Sequence, residues 1–104
     1  MNRVEFTHNI CQLIIEMFEA GEHPIIDFAK RSAEEQKRLF DAGLSKCDGI
    51  SVISMHQIGR AIDIYFIEGG SLVDPKLGWK QWHDRWKYYG GREMIEWDAG
   101  HFEG

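Results

Sequence analysis

The run Ala61-Ile62-Asp63-Ile64-Tyr65-Phe66 constrains this chain more tightly than any other stretch. Its strict period-two alternation predicts a strand, with Ile62, Ile64 and Phe66 turned to a core and Ala61, Asp63 and Tyr65 to the other side. An acid inside so apolar a strand is costly to bury unless something cationic meets it. A metal ion would do that. His56 stands seven positions earlier, at a turn after the run Ile50-Ser51-Val52-Ile53, with Gly59 and Ala61 between it and Asp63. A second signal closes the sequence: Asp98-Ala99-Gly100-His101-Phe102-Glu103, where an acid precedes a histidine by three positions.

The elements around these residues follow from local pattern. Val4, Cys11, Ile14, Ile15 and Phe18 recur at helical spacing, which predicts an amphipathic helix from about Arg3 to Ala20, with Asn2 as its cap and Gly21 as its end. Pro24 breaks the pattern, and Ile25-Ile26-Asp27-Phe28 is a short strand candidate. Ser32-Ala33-Glu34-Glu35 has the form of a capping box and opens a second helix, Ala33 to Ala42, stopped by Gly43. Leu39 and Phe40 are its core-facing candidates. Residues 44 to 49 read as loop, and Glu68-Gly69-Gly70-Ser71 as a turn. Pro75 to Tyr89 is helical again, with Leu77, Trp82, Trp86 and Tyr89 on one broad side and His83 at the periphery. Gly90-Gly91 ends that helix, and Glu93 to Trp97 is a short strand or loop leading to Asp98.

At 104 residues the chain is read as one domain, 1–104. A hydrophobic content of 43% and a charged content of 28% are those of an ordinary globular protein, enough for a core without staples. The net charge of -5 argues against a nucleic-acid partner, whose phosphates demand a basic surface. Cys11 and Cys47 make neither a disulfide framework nor a zinc cluster, and are read as buried or unreactive thiols in a reducing compartment. No apolar targeting segment opens the sequence and no run approaches the length of a membrane span, so the expectation is synthesis in the cytoplasm without a signal peptide.

Two histidines and two acids are not rare in a chain of this length, and spacing alone leaves two readings open, scattered surface residues and a hydrolytic metal site. Catalytic zinc takes three protein ligands and keeps a fourth position for water. With His56, Asp63 and His101 around the ion the site carries a net positive charge, which brings the pKa of a bound water to roughly 7. In a tight turn Asp98 can lie on the same side as His101 and take the water's proton. Arg31, at a strand-to-helix turn, can stabilise an oxyanion or hold a substrate carboxylate. Gln36 lies near the start of the same helix and can reach the same cleft.

The spaced set Ser54-x-His56-x-x-Gly59-x-Ala61-x-Asp63, followed by Asp98-x-x-His101-Phe102-Glu103, resembles the zinc D-alanyl-D-alanine carboxypeptidases and L-alanyl-D-glutamate endopeptidases, the VanY-like peptidoglycan peptidases that include many phage endolysins. Arg31-Ser32-x-x-Glu35-Gln36 is similar to that family's arginine-containing turn, and Gly90-Gly91 to its Gly-Gly approach to the last ligand. Lys30 stands where a tyrosine commonly precedes the arginine, and the tryptophan expected after Gly-Gly is displaced to Trp97. The resemblance implies an α+β fold, a small, mainly antiparallel sheet carrying a zinc site and packed with helices. It implies His56, Asp63 and His101 as zinc ligands, Asp98 as catalytic acid/base, Arg31 as a substrate-binding and oxyanion-stabilising residue, and Gln36 and Ser54 in the substrate cleft.

The function so implied is a zinc metallopeptidase that hydrolyses a peptide bond in peptidoglycan stem peptides, L-Ala-D-Glu endopeptidase-like. The alternatives are a D-Ala-D-Ala carboxypeptidase or dipeptidase, and a non-catalytic, zinc-stabilised phage structural or binding module. The expected partner is the stem peptide, reached after release from the cytoplasm as for a phage or prophage endolysin.

Overall fold

The structure is a computed structural model and describes residues 1–28, 33–43 and 59–104. Its elements run α1 (Arg3–Glu19), β1 (Pro24–Phe28), α2 (Ala33–Asp41), β2 (Ala61–Glu68), β3 (Ser71–Val73), α3 (Trp79–Tyr88) and β4 (His101–Glu103). The class is α+β, with a four-stranded sheet in which every pairing is antiparallel. The Ile50–Ile53 run, the 44–49 loop and the Ser32 cap lie outside the described residues.

β2 is the centre of the sheet, as its alternation requires. β1 pairs along one edge, from Pro24 opposite Phe66 to Phe28 opposite Asp63. The other edge is shared end to end. β4 covers Ala61 to Asp63, and β3 covers Phe66 to Glu68. Between them the backbone N–H of Ile64 donates to the carbonyl of Gly100 at 2.8 Å. β3, which sequence patterning did not reveal, forms because Gly69 and Gly70 both adopt positive φ, 59° and 81°, the geometry of a tight hairpin turn.

Ile62, Ile64 and Phe66 face the helices and join Phe6, Ile10, Leu13 and Met17 of α1, Trp82 and Trp86 of α3, and Phe102 of β4 in one core. Phe6 meets Trp86 edge to face at 5.7 Å. α1 begins where expected: the Asn2 side chain accepts from the Glu5 N–H at 2.8 Å, and the Glu5 carboxylate accepts from the Asn2 N–H at 3.1 Å. The buried face of α1 differs from the one the sequence suggested. Val4, Ile15 and Phe18 are exposed, Cys11 is exposed rather than buried, and Ile14 only flanks the core. Two apolar stripes run along this helix, and the sheet selects the one through Phe6 and Leu13.

α3 starts at Trp79, four residues after Pro75, and Leu77 is exposed. What fixes the segment before it is Glu22, an acid only 3% exposed. Its carboxylate accepts from the backbone N–H of Lys76 at 2.5 Å and from the Trp82 indole at 2.5 Å, tying the end of α1 to the start of α3. After α3, Gly91 passes directly over Trp86. A Cβ there would sit 2.0 Å from the indole nitrogen, so only glycine fits. Trp86 in turn donates to the Glu103 carbonyl at 2.8 Å, seating β4 on the core. Among the described residues no helix is long and apolar enough to cross a membrane.

Candidate metal centre

The register of β2 against β4 builds this site. Asp63 lies directly opposite His101, and Ile62 directly opposite Phe102. Opposed residues share a face and bring their Cβ atoms to about 5 Å. Phe102 therefore goes into the core while Asp63 and His101 meet on the reverse face. Asp63 is 6% exposed, and its Oδ1 lies 3.2 Å from Nδ1 of His101. Two residues further along β4, Glu103 falls on the same face, with Oε2 at 3.5 Å from Nε2 of His101.

Asp98 arrives by a turn. The His101 N–H donates to the Asp98 carbonyl at 3.0 Å, and the Asp98 Oδ2 then lies 4.0 Å from Nδ1 of His101. Gly100 makes this possible. A Cβ at that position would come within 2.8 Å of the Tyr65 ring and 3.0 Å of the Ile64 carbonyl, so the turn can rest on β2 only without a side chain. The turn is also held from behind by His83. Its Nε2 donates to the Ala99 carbonyl at 2.6 Å, and its ring stacks on Phe102 with centroids 4.0 Å apart. His83 is 2% exposed, which corrects its expected peripheral place. Burial pushes its pKa below the ordinary histidine value, so the ring is neutral near pH 7.

Asp63, Asp98 and His101 thus present ligand atoms that all lie within 4.8 Å of one another, close enough to hold a metal ion. The donor chemistry fits a divalent cation. Donors about 2.1 Å from a tetrahedral ion stand roughly 3.4 Å apart. The Asp63–His101 separation of 3.2 Å matches that spacing, and the 4.0 Å to Asp98 is somewhat wider. Electrostatics agree. Burial opposes a positive charge on His101, yet the hydrogen bond and charge of Asp63, together with Glu103 and Asp98, outweigh it and raise the imidazole pKa. The same field favours a cation at Nδ1. Glu103, as a partner for Nε2–H, would leave the Nδ1 lone pair directed at the two aspartates.

Of the other residues singled out from sequence, Gln36 is placed on α2, while Arg31, Ser54 and His56 lie outside the described residues. The sequence reading gave no role to Glu103 or His83. Glu103 lacked the signal of strand alternation, because β4 is only three residues long. His83 carried no signal either, because its partner is a backbone carbonyl.

Next to this centre a cleft of 640 Å³ is lined by Tyr65, Leu72, Val73, Asp74, Trp79 and the segment Trp97 to Gly100. Tyr65, in the stretch of β2 between its pairings with β3 and β4, is one of its lining residues. Asp98, roughly half exposed, belongs both to the cleft and to this cluster of three. No protein-family model matches the chain, and no curated protein matches it.

Proposed function

We propose that this chain is a zinc metallopeptidase that hydrolyses a peptide bond in the stem peptides of bacterial peptidoglycan. One observation carries the reading: a buried aspartate and a histidine paired across two strands, with a second aspartate beside them at the mouth of a cleft. A purely structural zinc site is closed by four protein ligands and needs no carboxylate at a wet edge. The spacing of the VanY-like motifs supports the same conclusion and supplies the substrate class.

Asp63 and His101 would hold the ion, with His56 as the third ligand by resemblance. When bound, zinc supplies a Lewis acid and an activated water at neutral pH. Asp98, 4.0 Å from the imidazole and at the cleft, is kept for proton transfer: there a carboxylate can accept a proton from water and return it to the leaving amine. Glu103 orients the His101 ring, and His83 fixes the turn that sets the separation of Asp98 and His101. Arg31 is assigned the oxyanion and Ser54 and Gln36 the cleft wall, again by resemblance.

Purified protein loaded with zinc should release new amino termini from purified peptidoglycan, and mass spectrometry of the fragments names the bond. Asp98→Asn should keep about one zinc per chain and lose at least roughly 100-fold in turnover. Release from no wall chemotype, with zinc bound, would refute the reading. Cleavage confined to free peptides ending in D-Ala-D-Ala would convert it to the carboxypeptidase alternative.

A further inference from the structure

The register of β3 on β2 leaves the backbone of one residue facing away from the sheet. The Ile67 N–H donates to the His23 carbonyl at 3.0 Å, on the β1 side. Ile67 stands opposite Leu72. Opposed residues of an antiparallel ladder alternate between pairs that exchange hydrogen bonds and pairs whose polar groups turn outward. Ile67 and Leu72 are of the second kind, so the Leu72 N–H and C=O point out from the sheet edge. Among the described residues neither group has a partner, and Leu72 is 68% exposed. Unpaired backbone groups on an edge strand are a template for another chain.

This edge adjoins the candidate metal centre. Leu72 and Val73 line the same cleft as the segment from Asp98 to Gly100. β3 and β4 both run antiparallel to β2, so they lie end to end and point the same way. Leu72 stands opposite Ile67 and His101 opposite Asp63, which sets them about 13 Å apart along β2. Ile67 lies on the same face of β2 as Asp63, so the Leu72 side chain shares the face that carries the centre.

We infer that the outer edge of β3 at Leu72 holds the substrate's main chain as a one-residue added strand, about four residue lengths from the bond that is cut. This inference rests on the peptidase reading for its substrate, and it adds a recognition element outside the metal centre. The Leu72 N–H donates to a substrate carbonyl, and the Leu72 carbonyl accepts from the N–H of the same substrate residue. So short an edge suits a stem peptide, whose γ-linked D-glutamate interrupts the main-chain spacing that a longer ladder needs. Only backbone groups meet, so the contact places the peptide without selecting the side chain it holds.

The test is calorimetric binding of L-Ala-γ-D-Glu-L-Lys-D-Ala-D-Ala to the zinc-loaded Asp98→Asn chain, where the peptide should survive, with amide hydrogen exchange at Leu72 read by NMR. Bound peptide should slow that exchange at least about tenfold. Leu72→Pro, added to this chain, removes the N–H without breaking the β2 ladder, a change that edge strands tolerate. It should weaken binding about tenfold. Leu72→Ala keeps the N–H and should bind more tightly than Leu72→Pro. Binding that leaves Leu72 exchange unaltered, no binding, or equal affinity of the two Leu72 variants would overturn the added strand. If Leu72→Pro fails to fold, the exchange measurement alone decides. Protection of Leu72 without hydrolysis by the unaltered protein would uphold the added strand and refute the peptidase. Hydrolysis without protection would do the reverse.

Discussion

Removing the Glu22 carboxylate should be among the most destabilising single changes in this chain. The side chain is 3% exposed and accepts from two well-placed donors, the Lys76 N–H and the Trp82 indole, each at 2.5 Å. Trp82 is itself 5% exposed, so its N–H finds no water when the acceptor goes. Hydrogen bonds to a charged acceptor contribute about 1.5–3 kcal/mol each. Two of them, less the cost of keeping a carboxylate out of water, give about 3 kcal/mol for Glu22→Ala. For a chain of this length that is a fall in Tm of roughly 12–20 °C. Glu22→Gln preserves volume but turns an NH2 toward one donor, and should cost about 2 kcal/mol. Urea denaturation measures both, with the midpoint moving and the slope unchanged. A loss below about 1 kcal/mol for both variants would show that the α1–α3 tie has been misread.

Two further expectations follow from other contacts. Gly100→Ala should lower metal affinity more than stability, because the added Cβ meets the Tyr65 ring and the Ile64 carbonyl and lifts the Asp98–His101 turn off β2. Paired zinc titration and thermal melts separate the two effects, and equal affinity to the unaltered protein would contradict the argument. Glu16 is held below the ordinary glutamate range by hydrogen bonding to Arg85, against its desolvation, and by a further hydrogen bond from Tyr89. A depressed carboxylate stabilises the fold above its unfolded pKa, about 4.3, and that stabilisation is lost as pH falls through the lower folded value. Glu16→Gln should therefore be less stable at pH 7 and lose less stability between pH 5 and pH 3, read from denaturation midpoints across pH. An unaltered acid limb would exclude Glu16 as a contributor.

The centre of the fold was legible because β2 keeps its alternation from Ile62 to Phe66. Alternation alone placed Ile62, Ile64 and Phe66 in the core and Asp63 on the far face, and the Asn2 cap and the Gly69–Gly70 turn followed from local chemistry. α1 was misread because it carries two apolar stripes, and periodicity cannot say which one a sheet will cover. β3 and β4 are three residues each, too short to show alternation, and exist because β2 offers them an edge. Asp63, Asp98 and His101 were chosen from sequence by spacing and resemblance; the β2–β4 register brings Asp63 to His101, and the turn before β4 brings Asp98 to both. Glu22 and His83 escaped notice because each is defined by backbone or indole partners that sequence does not mark. The cleft is lined by residues far apart in sequence, from Tyr65 to Gly100, a feature of topology alone.

A peptidase of this kind requires that Asp63 and His101 grip a metal ion together. Zinc content measured on purified protein, with a crystal structure recorded across the zinc absorption edge, tests this most directly. One ion per chain, with anomalous density between Asp63 Oδ1 and His101 Nδ1 and lost in Asp63→Asn, is the predicted result. A protein that retains no zinc, or an ion lodged away from this pair, would contradict it.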